Sequence, residues 1–289
     1  MATMKRSDVL VCVGELAGSD ALARHTIIDC RFDLKAPESG FAGYLEGHIP
    51  GASYAHLDDD LAAPVGRQTG RHPLPVPEVL SATLQRLGVR RGRPVVVYDE
   101  SGGAIAARAW WLLRWAGHSA VRVLDGGLPA WRSRGLPLES GEPVPGAVEF
   151  EITPQDERVL TTTELAASPE GAAEYRLVDA RDRNRYRGIE EPIDPIAGHI
   201  PGSLNLPFDA CLDADGSWLS DEDLRARLSA VLGNDLEGSW AVMCGSGVTA
   251  CHLAISGLLA GYREPRLYVG SWSEWIRDPS RQVAKEYPS

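Results

Sequence analysis

No stretch of this sequence is long enough in apolar residues to span a membrane. The short run Val9–Val13, behind Lys5 and Arg6, is likewise too brief for the core of a signal peptide. Positive charge is scarce: 29 Lys and Arg face 40 Asp and Glu, a formal net charge of −11. That sign is wrong for general binding to nucleic acid or anionic lipid, so neither partner is expected. It leaves room for a small anion, because a local field can oppose the global one. Cysteine is sparse and unpatterned, with five residues, an odd number, and no Cys-x-x-Cys spacing. This speaks against a disulfide frame or a zinc site and fits a reducing compartment. A soluble cytoplasmic protein is the expectation.

What is present is ordinary globular material, 44% hydrophobic and 24% charged, and 289 residues are enough for two cores. Those two cores are written twice. Ile27-Ile28-Asp29-Cys30-Arg31 is followed by His48-Ile49-Pro50-Gly51, and Leu177-Val178-Asp179-Ala180-Arg181 by His199-Ile200-Pro201-Gly202. The offsets are 150 (179 minus 29) and 151 (199 minus 48). Further on, Pro94–Asp99 answers Trp240–Cys244, helix Ala106–Trp115 answers the helix after Cys244, and Val123–Trp131 answers Tyr268–Trp275. Four matches in series mean a duplication. Strands alternate with helical stretches such as Val79–Leu87 and Asp221–Leu232, so each copy should be α/β with a mostly parallel sheet flanked by helices. The Pro- and Gly-rich Gly141–Gly146 marks the join. The expected division is 1–140, a linker at 141–151, and 152–289.

The chemistry concentrates in Cys244-Gly245-Ser246-Gly247-Val248-Thr249-Ala250. It sits between an apolar strand and a helix, at the carboxyl end of the strand, where ligands gather in such sheets. Two glycines let the backbone curl round the cysteine, and successive N–H groups with the helix N-terminus make an anion cradle. The anion supplied is a thiolate, so Cys244 is the candidate nucleophile. The first copy carries Asp99 at the matching place, an offset of 145 (244 minus 99), and cannot do the same chemistry. Its expected part is structural, or to wall a site between the copies. His48 and His199 recur in both copies and are read as turn residues. Cys12, Cys30, Cys211 and Cys251 lack the glycine-rich setting and are read as packing residues.

Together the repeated His-Ile-Pro-Gly runs, the Cys-Gly-Ser-Gly-Val-Thr-Ala loop and the closing Gly-Ser-Trp-Ser-Glu-Trp resemble the two-domain rhodanese-like sulfurtransferases. The loop is most similar to that of 3-mercaptopyruvate sulfurtransferases, because Gly245 and Ser246 stand where thiosulfate-preferring members carry basic residues. The resemblance implies a tandem of rhodanese-like domains, the first without the nucleophile. It implies sulfur passing from a small anionic donor, through a Cys244 persulfide, to cyanide or a thiol, a thioredoxin-like protein among the candidates, with no metal or organic cofactor required. It also implies roles for other residues. Arg185 would bind the donor's anionic group with Arg187 as a weaker candidate, Gly245, Gly247, Val248 and Thr249 would line the donor site, and His72 with Asp58 would relay protons to Ser246.

Two other readings compete for a cysteine at such a turn. A cysteine phosphatase needs an arginine six residues after the cysteine, where this chain has Ala250. A non-catalytic binding module of the same fold usually lacks the cysteine, which the second copy keeps. On donors the signals conflict. The neutral loop favours singly charged mercaptopyruvate over doubly charged thiosulfate, but Gly188–Pro195 has no second arginine and is acidic. Mercaptopyruvate is expected to be preferred, with thiosulfate still accepted.

Overall fold

A computed structural model describes residues 4–18, 20–142, 148–168 and 170–286. Within the described residues ten short strands make two sheets. In the first half they are β1 (Leu10–Val11), β2 (Thr26–Asp29), β3 (Ala52–Tyr54), β4 (Val95–Tyr98) and β5 (Val121–Leu124). In the second half they are β6 (Val159–Leu160), β7 (Leu177–Asp179), β8 (Leu204–Asn205), β9 (Ala241–Met243) and β10 (Arg266–Tyr268). The sheet orders are β1-β5-β4-β2-β3 and β6-β10-β9-β7-β8, one permutation used twice. All neighbours pair parallel. Runs such as Val95-Val96-Val97 are buried on both faces, as a parallel sheet covered by helices requires.

The repeated motifs turn out to be repeated fasteners. Arg31 grips Asp29 through Nε and Nη2 and donates to the Gly47 carbonyl. Arg181 does the same with Asp179 and the Gly198 carbonyl. The histidines that follow stack on tyrosines, His48 on Tyr44 at 4.1 Å and His199 on Tyr186 at 3.9 Å. Each also bonds that tyrosine's carbonyl through Nδ1 at 2.8 Å. Both elements therefore serve to close the turn after the second strand of each sheet.

The halves meet through helix Ala106–Trp115 and helix Thr249–Leu259, which pack on each other inside one apolar cluster. Every residue of the first is buried, and so are Ala250–Leu259 of the second. Burial all round each helix is what a position between two sheets imposes, and it covers even Arg108 and Arg114 on the first and His252 on the second. Around the join, Pro143–Gly146 lie outside the described residues. On either side the chain is held by the first half: Gly141 N–H donates to the Leu45 carbonyl, and buried Phe150 accepts from Ser81 Oγ. Among the described residues no helix is long and apolar enough to cross a membrane, and no acidic or His/Cys group is arranged to hold a metal ion.

Candidate active site

Cys244 follows β9 directly and is buried, its residue only 2% exposed. The closing Gly-Ser-Trp-Ser-Glu-Trp run forms the base on which its loop rests. Cys244 N–H donates to Ser271 Oγ at 3.1 Å, while Trp272 and Ser273 N–H donate to the Cys244 and Gly245 carbonyls. Ser271 adopts φ 53°, a left-handed conformation costing about 1–2 kcal/mol for a non-glycine residue. Its hydroxyl gains the Cys244 bond in return. Gly247 has φ +76°, and a Cβ there would sit 2.6 Å from the Val269 carbonyl oxygen, so glycine is required. Among the described residues, N–H groups of Gly245, Ser246, Gly247, Val248 and Thr249 find no protein acceptor. They ring the mouth of the helix Thr249–Leu259.

The first copy shows what such a ring is for. There Asp99 occupies the cysteine's place, and its carboxylate accepts N–H bonds from Ser101, Gly103, Ile105 and Ala106 at 2.8–2.9 Å. The cradle has closed on a built-in anion. In the second copy the loop N–H groups meet no built-in carboxylate, and a cysteine thiol is a much weaker acceptor.

Side chains from the first half complete the site. The Gly70-Arg71-His72 strip lies on the helix Ser271–Trp275, with Arg71 N–H donating to Ser273 Oγ at 3.1 Å. His72 Nδ1 thereby reaches Ser246 Oγ at 2.7 Å, and His72 Nε2 reaches Asp58 Oδ1 at 3.1 Å. The three residues that sequence spacing could not connect form one chain of hydrogen bonds. Burial, with Arg108 and Arg71 nearby, pulls the His72 pKa down to about 3, so the ring is neutral. A carboxylate can only accept, which assigns the ring proton to Nε2 and leaves Nδ1 to accept from the Ser246 hydroxyl.

Arg185, on the short helix Arg183–Arg187, stands beside the cysteine loop: a Cβ on Gly245 would lie 3.5 Å from its Nη2. Its guanidinium is held by Glu191 through Nε and by Asp194 through Nη2. Arg187 is not brought to the site. Two residues on, about 200° around the helix, it pairs with Glu286 at 3.3 Å. Val248 is buried at the base of the loop, and Thr249 opens the helix. Cys251 is fully buried with its pKa pushed up to about 12, and its thiol points back at the Gly247 carbonyl. Burial raises Cys211 to about 11 and Cys30 well above its ordinary value.

Two residues of the site escaped the sequence. Arg108, fully buried on the helix Ala106–Trp115, donates to the carbonyls of Leu61, His72 and Gly247. It ties the His72 strip to the cysteine loop, and no carboxylate pairs with it among the described residues. Arg71, next to His72, bonds Asp194 and approaches Gly245 more closely than Arg185 does. Its adjacency to His72 in a Gly-Arg-His-Pro strip was the available signal.

Comparison with known proteins gives the family. The Rhodanese-like domain model matches residues 14–134 and again 161–278. The chain is 48% identical over 260 residues to a probable 3-mercaptopyruvate sulfurtransferase of Pseudomonas aeruginosa, covering 89% of this chain and 91% of the relative. It is 43% identical to a putative thiosulfate sulfurtransferase, SseB, of Mycobacterium tuberculosis, over 97% of this chain and 98% of the relative. The solved 3-mercaptopyruvate sulfurtransferase from Leishmania major superposes with a TM-score of 0.83 at 33% identity, covering 96% of this chain and 77% of that one.

Proposed function

The chain belongs to the rhodanese-like family of sulfurtransferases, and from that premise we propose that it moves the sulfur of 3-mercaptopyruvate through a Cys244 persulfide to a small acceptor. The observation that carries this reading is the hydrogen-bonded chain Asp58–His72–Ser246 ending two residues from Cys244. A donor whose leaving group is stable as an anion, as sulfite is, would need no such chain. Mercaptopyruvate does need one, because its leaving group is an enolate that must gain a proton.

The step balances as follows. The Cys244 sulfur attacks the donor sulfur, an S–S bond forms and the donor C–S bond breaks. The electron pair of that bond goes to carbon, and the cysteine's proton ends on the methyl group of pyruvate. Neutral His72, accepting from Ser246, can take that proton by way of the hydroxyl, and Asp58 stabilises the imidazolium while it lasts. The same route returns the proton to the departing carbon. The free N–H groups of residues 245–249 support the sulfur anion before and after loading, and Arg185 anchors the donor carboxylate. Cyanide or a thiol then attacks the outer sulfur and regenerates Cys244. Thiosulfate can load the same cysteine, since sulfite leaves without a proton, but it cannot use the relay. The preference for mercaptopyruvate, the division at residues 140 and 152, and the residue roles are parts of this proposal. The test is steady-state kinetics with both donors and cyanide. Catalytic efficiency should be higher with mercaptopyruvate, and a clear thiosulfate preference would contradict it.

A further inference from the structure

Among the described residues the buried arginines are Arg31, Arg108, Arg114 and Arg181. Arg31 holds Asp29, Arg114 holds Glu264 and Arg181 holds Asp179. Arg108 is fully buried, and no carboxylate among the described residues pairs with it. Its guanidinium meets the carbonyl oxygens of Leu61, His72 and Gly247 at 3.2–3.3 Å instead. Burial lowers its pKa, yet guanidinium starts so high that it stays charged. A buried charge left uncompensated is among the costliest things a fold can hold, so a counter-anion is needed. The ionisable groups whose charge reaches Arg108 are two thiols, Cys251 and Cys244. Burial pushes Cys251 up to about 12, so it stays neutral, and its Sγ donates to the same Gly247 carbonyl at 3.3 Å. His72, whose carbonyl Arg108 also holds, carries a neutral ring. Cys244 is the group left to supply the negative charge.

We infer that Arg108, carried across the interface by the first half, is the counter-cation of the Cys244 sulfur anion and a positioning residue for the nucleophile. It acts through space and through one peptide unit. Arg108 Nη1 sits on the Gly247 oxygen, and the N–H of that same unit is Val248's, one of the free donors around the cysteine. A cation on the oxygen polarises the amide and strengthens its N–H toward an anion. The inference rests on the function proposed above only in that the sulfur it serves is the one that attacks the donor. When the Cys244 proton passes to Ser246 and His72, the charge left on sulfur lies within reach of Arg108, which itself neither gains nor loses a proton. A chain of net charge −11 thereby keeps a positive field where its nucleophile stands. The half that lacks a nucleophile supplies that field.

The experiment alkylates Cys244 with iodoacetamide at neutral pH in the unmodified chain, Arg108→Lys and Arg108→Gln, with the rate read by mass at the Cys244 peptide. An S–C bond forms, iodide leaves and the cysteine's proton goes to solvent, so no sulfur donor is involved. Both variants lose the guanidinium fork and keep a polar head, but only lysine keeps the charge. Arg108→Gln should react about tenfold more slowly than the unmodified chain, and Arg108→Lys should outpace Arg108→Gln by more than about threefold. Sulfur loading should follow the same order and fall alike with mercaptopyruvate and thiosulfate, unlike a loss in the proton relay. Two variants within about threefold of each other would mean that Arg108 serves only the shape of the loop. That result overturns the inference, and so does an Arg108→Gln rate matching the unmodified chain. Should neither variant fold, the thiolate absorbance of the unmodified chain, taken as its difference from Cys244→Ser at neutral pH, decides the matter. Its presence is expected, and its absence overturns the counter-ion. A chain whose Cys244 alkylates as expected but gains no sulfur from mercaptopyruvate fails the proposed function and leaves this inference standing.

Discussion

Ser246→Ala separates the two donors. The hydroxyl lies 2.7 Å from His72 Nδ1, on a histidine only 4% exposed. Removing it leaves a buried ring nitrogen without a partner, at a cost of about 1–3 kcal/mol in stability. It also breaks the hydrogen-bonded chain from Asp58 through His72 to the loop. General acid–base catalysis contributes about 10²–10⁴-fold, or roughly 3–5 kcal/mol of barrier. With mercaptopyruvate kcat should therefore fall by about a hundredfold or more. With thiosulfate no proton is needed, and kcat should stay within about threefold. The assay is thiocyanate formation from each donor at saturating cyanide, with a urea midpoint to confirm folding. Equal losses with both donors would refute the relay, because the hydroxyl would then be serving the loop's shape and not proton transfer.

Other expectations follow from the same geometry. Arg185→Ala should lower catalytic efficiency by about 1.5–3 kcal/mol with either donor, checked by initial rates; unchanged efficiency would remove Arg185 from the donor site. Arg108→Lys keeps the charge, but a single ammonium cannot span the Leu61, His72 and Gly247 carbonyls. It should lower stability by about 1–3 kcal/mol, read as a drop in the urea midpoint. His72 and fully buried His252 both hold pKa values of about 3, below the unfolded value, so the unfolded chain binds the extra protons. Stability should be level above about pH 6.5 and fall below it by roughly 1.4 kcal/mol per pH unit for each histidine; a urea midpoint unchanged between pH 7 and 5 would contradict this.

Much of the architecture was legible because it is carried by local pattern. The helices Ala106–Trp115 and Asp221–Leu232 fall at the residues their apolar runs indicate, and the four serial matches became one strand order used twice. The cysteine turn was legible for a similar reason, since glycine placement and strand–helix flanks are near neighbours in sequence. What stayed hidden depends on how the halves meet. Asp58, His72 and Ser246 are joined only because Arg71 and Gly70 lie on the helix Ser271–Trp275, about two hundred residues later. Arg108 sits within the helix Ala106–Trp115 with no sequence signal of its own, and only packing brings it to the Gly247 carbonyl. Arg187 shows the opposite failure: two positions from Arg185 it shares the motif but faces Glu286. Asp99 looked like a lost nucleophile, whereas its four N–H bonds show the cradle's affinity for a negative charge.

The account's central claim is that sulfur rests on Cys244, and intact-protein and peptide mass measurement after incubation with 3-mercaptopyruvate tests it most directly. One added sulfur atom, located on Cys244, removed by cyanide and absent from Cys244→Ser, is the expected result. A chain that gains no sulfur, or that carries it on Cys251 or on any other cysteine, would contradict the account.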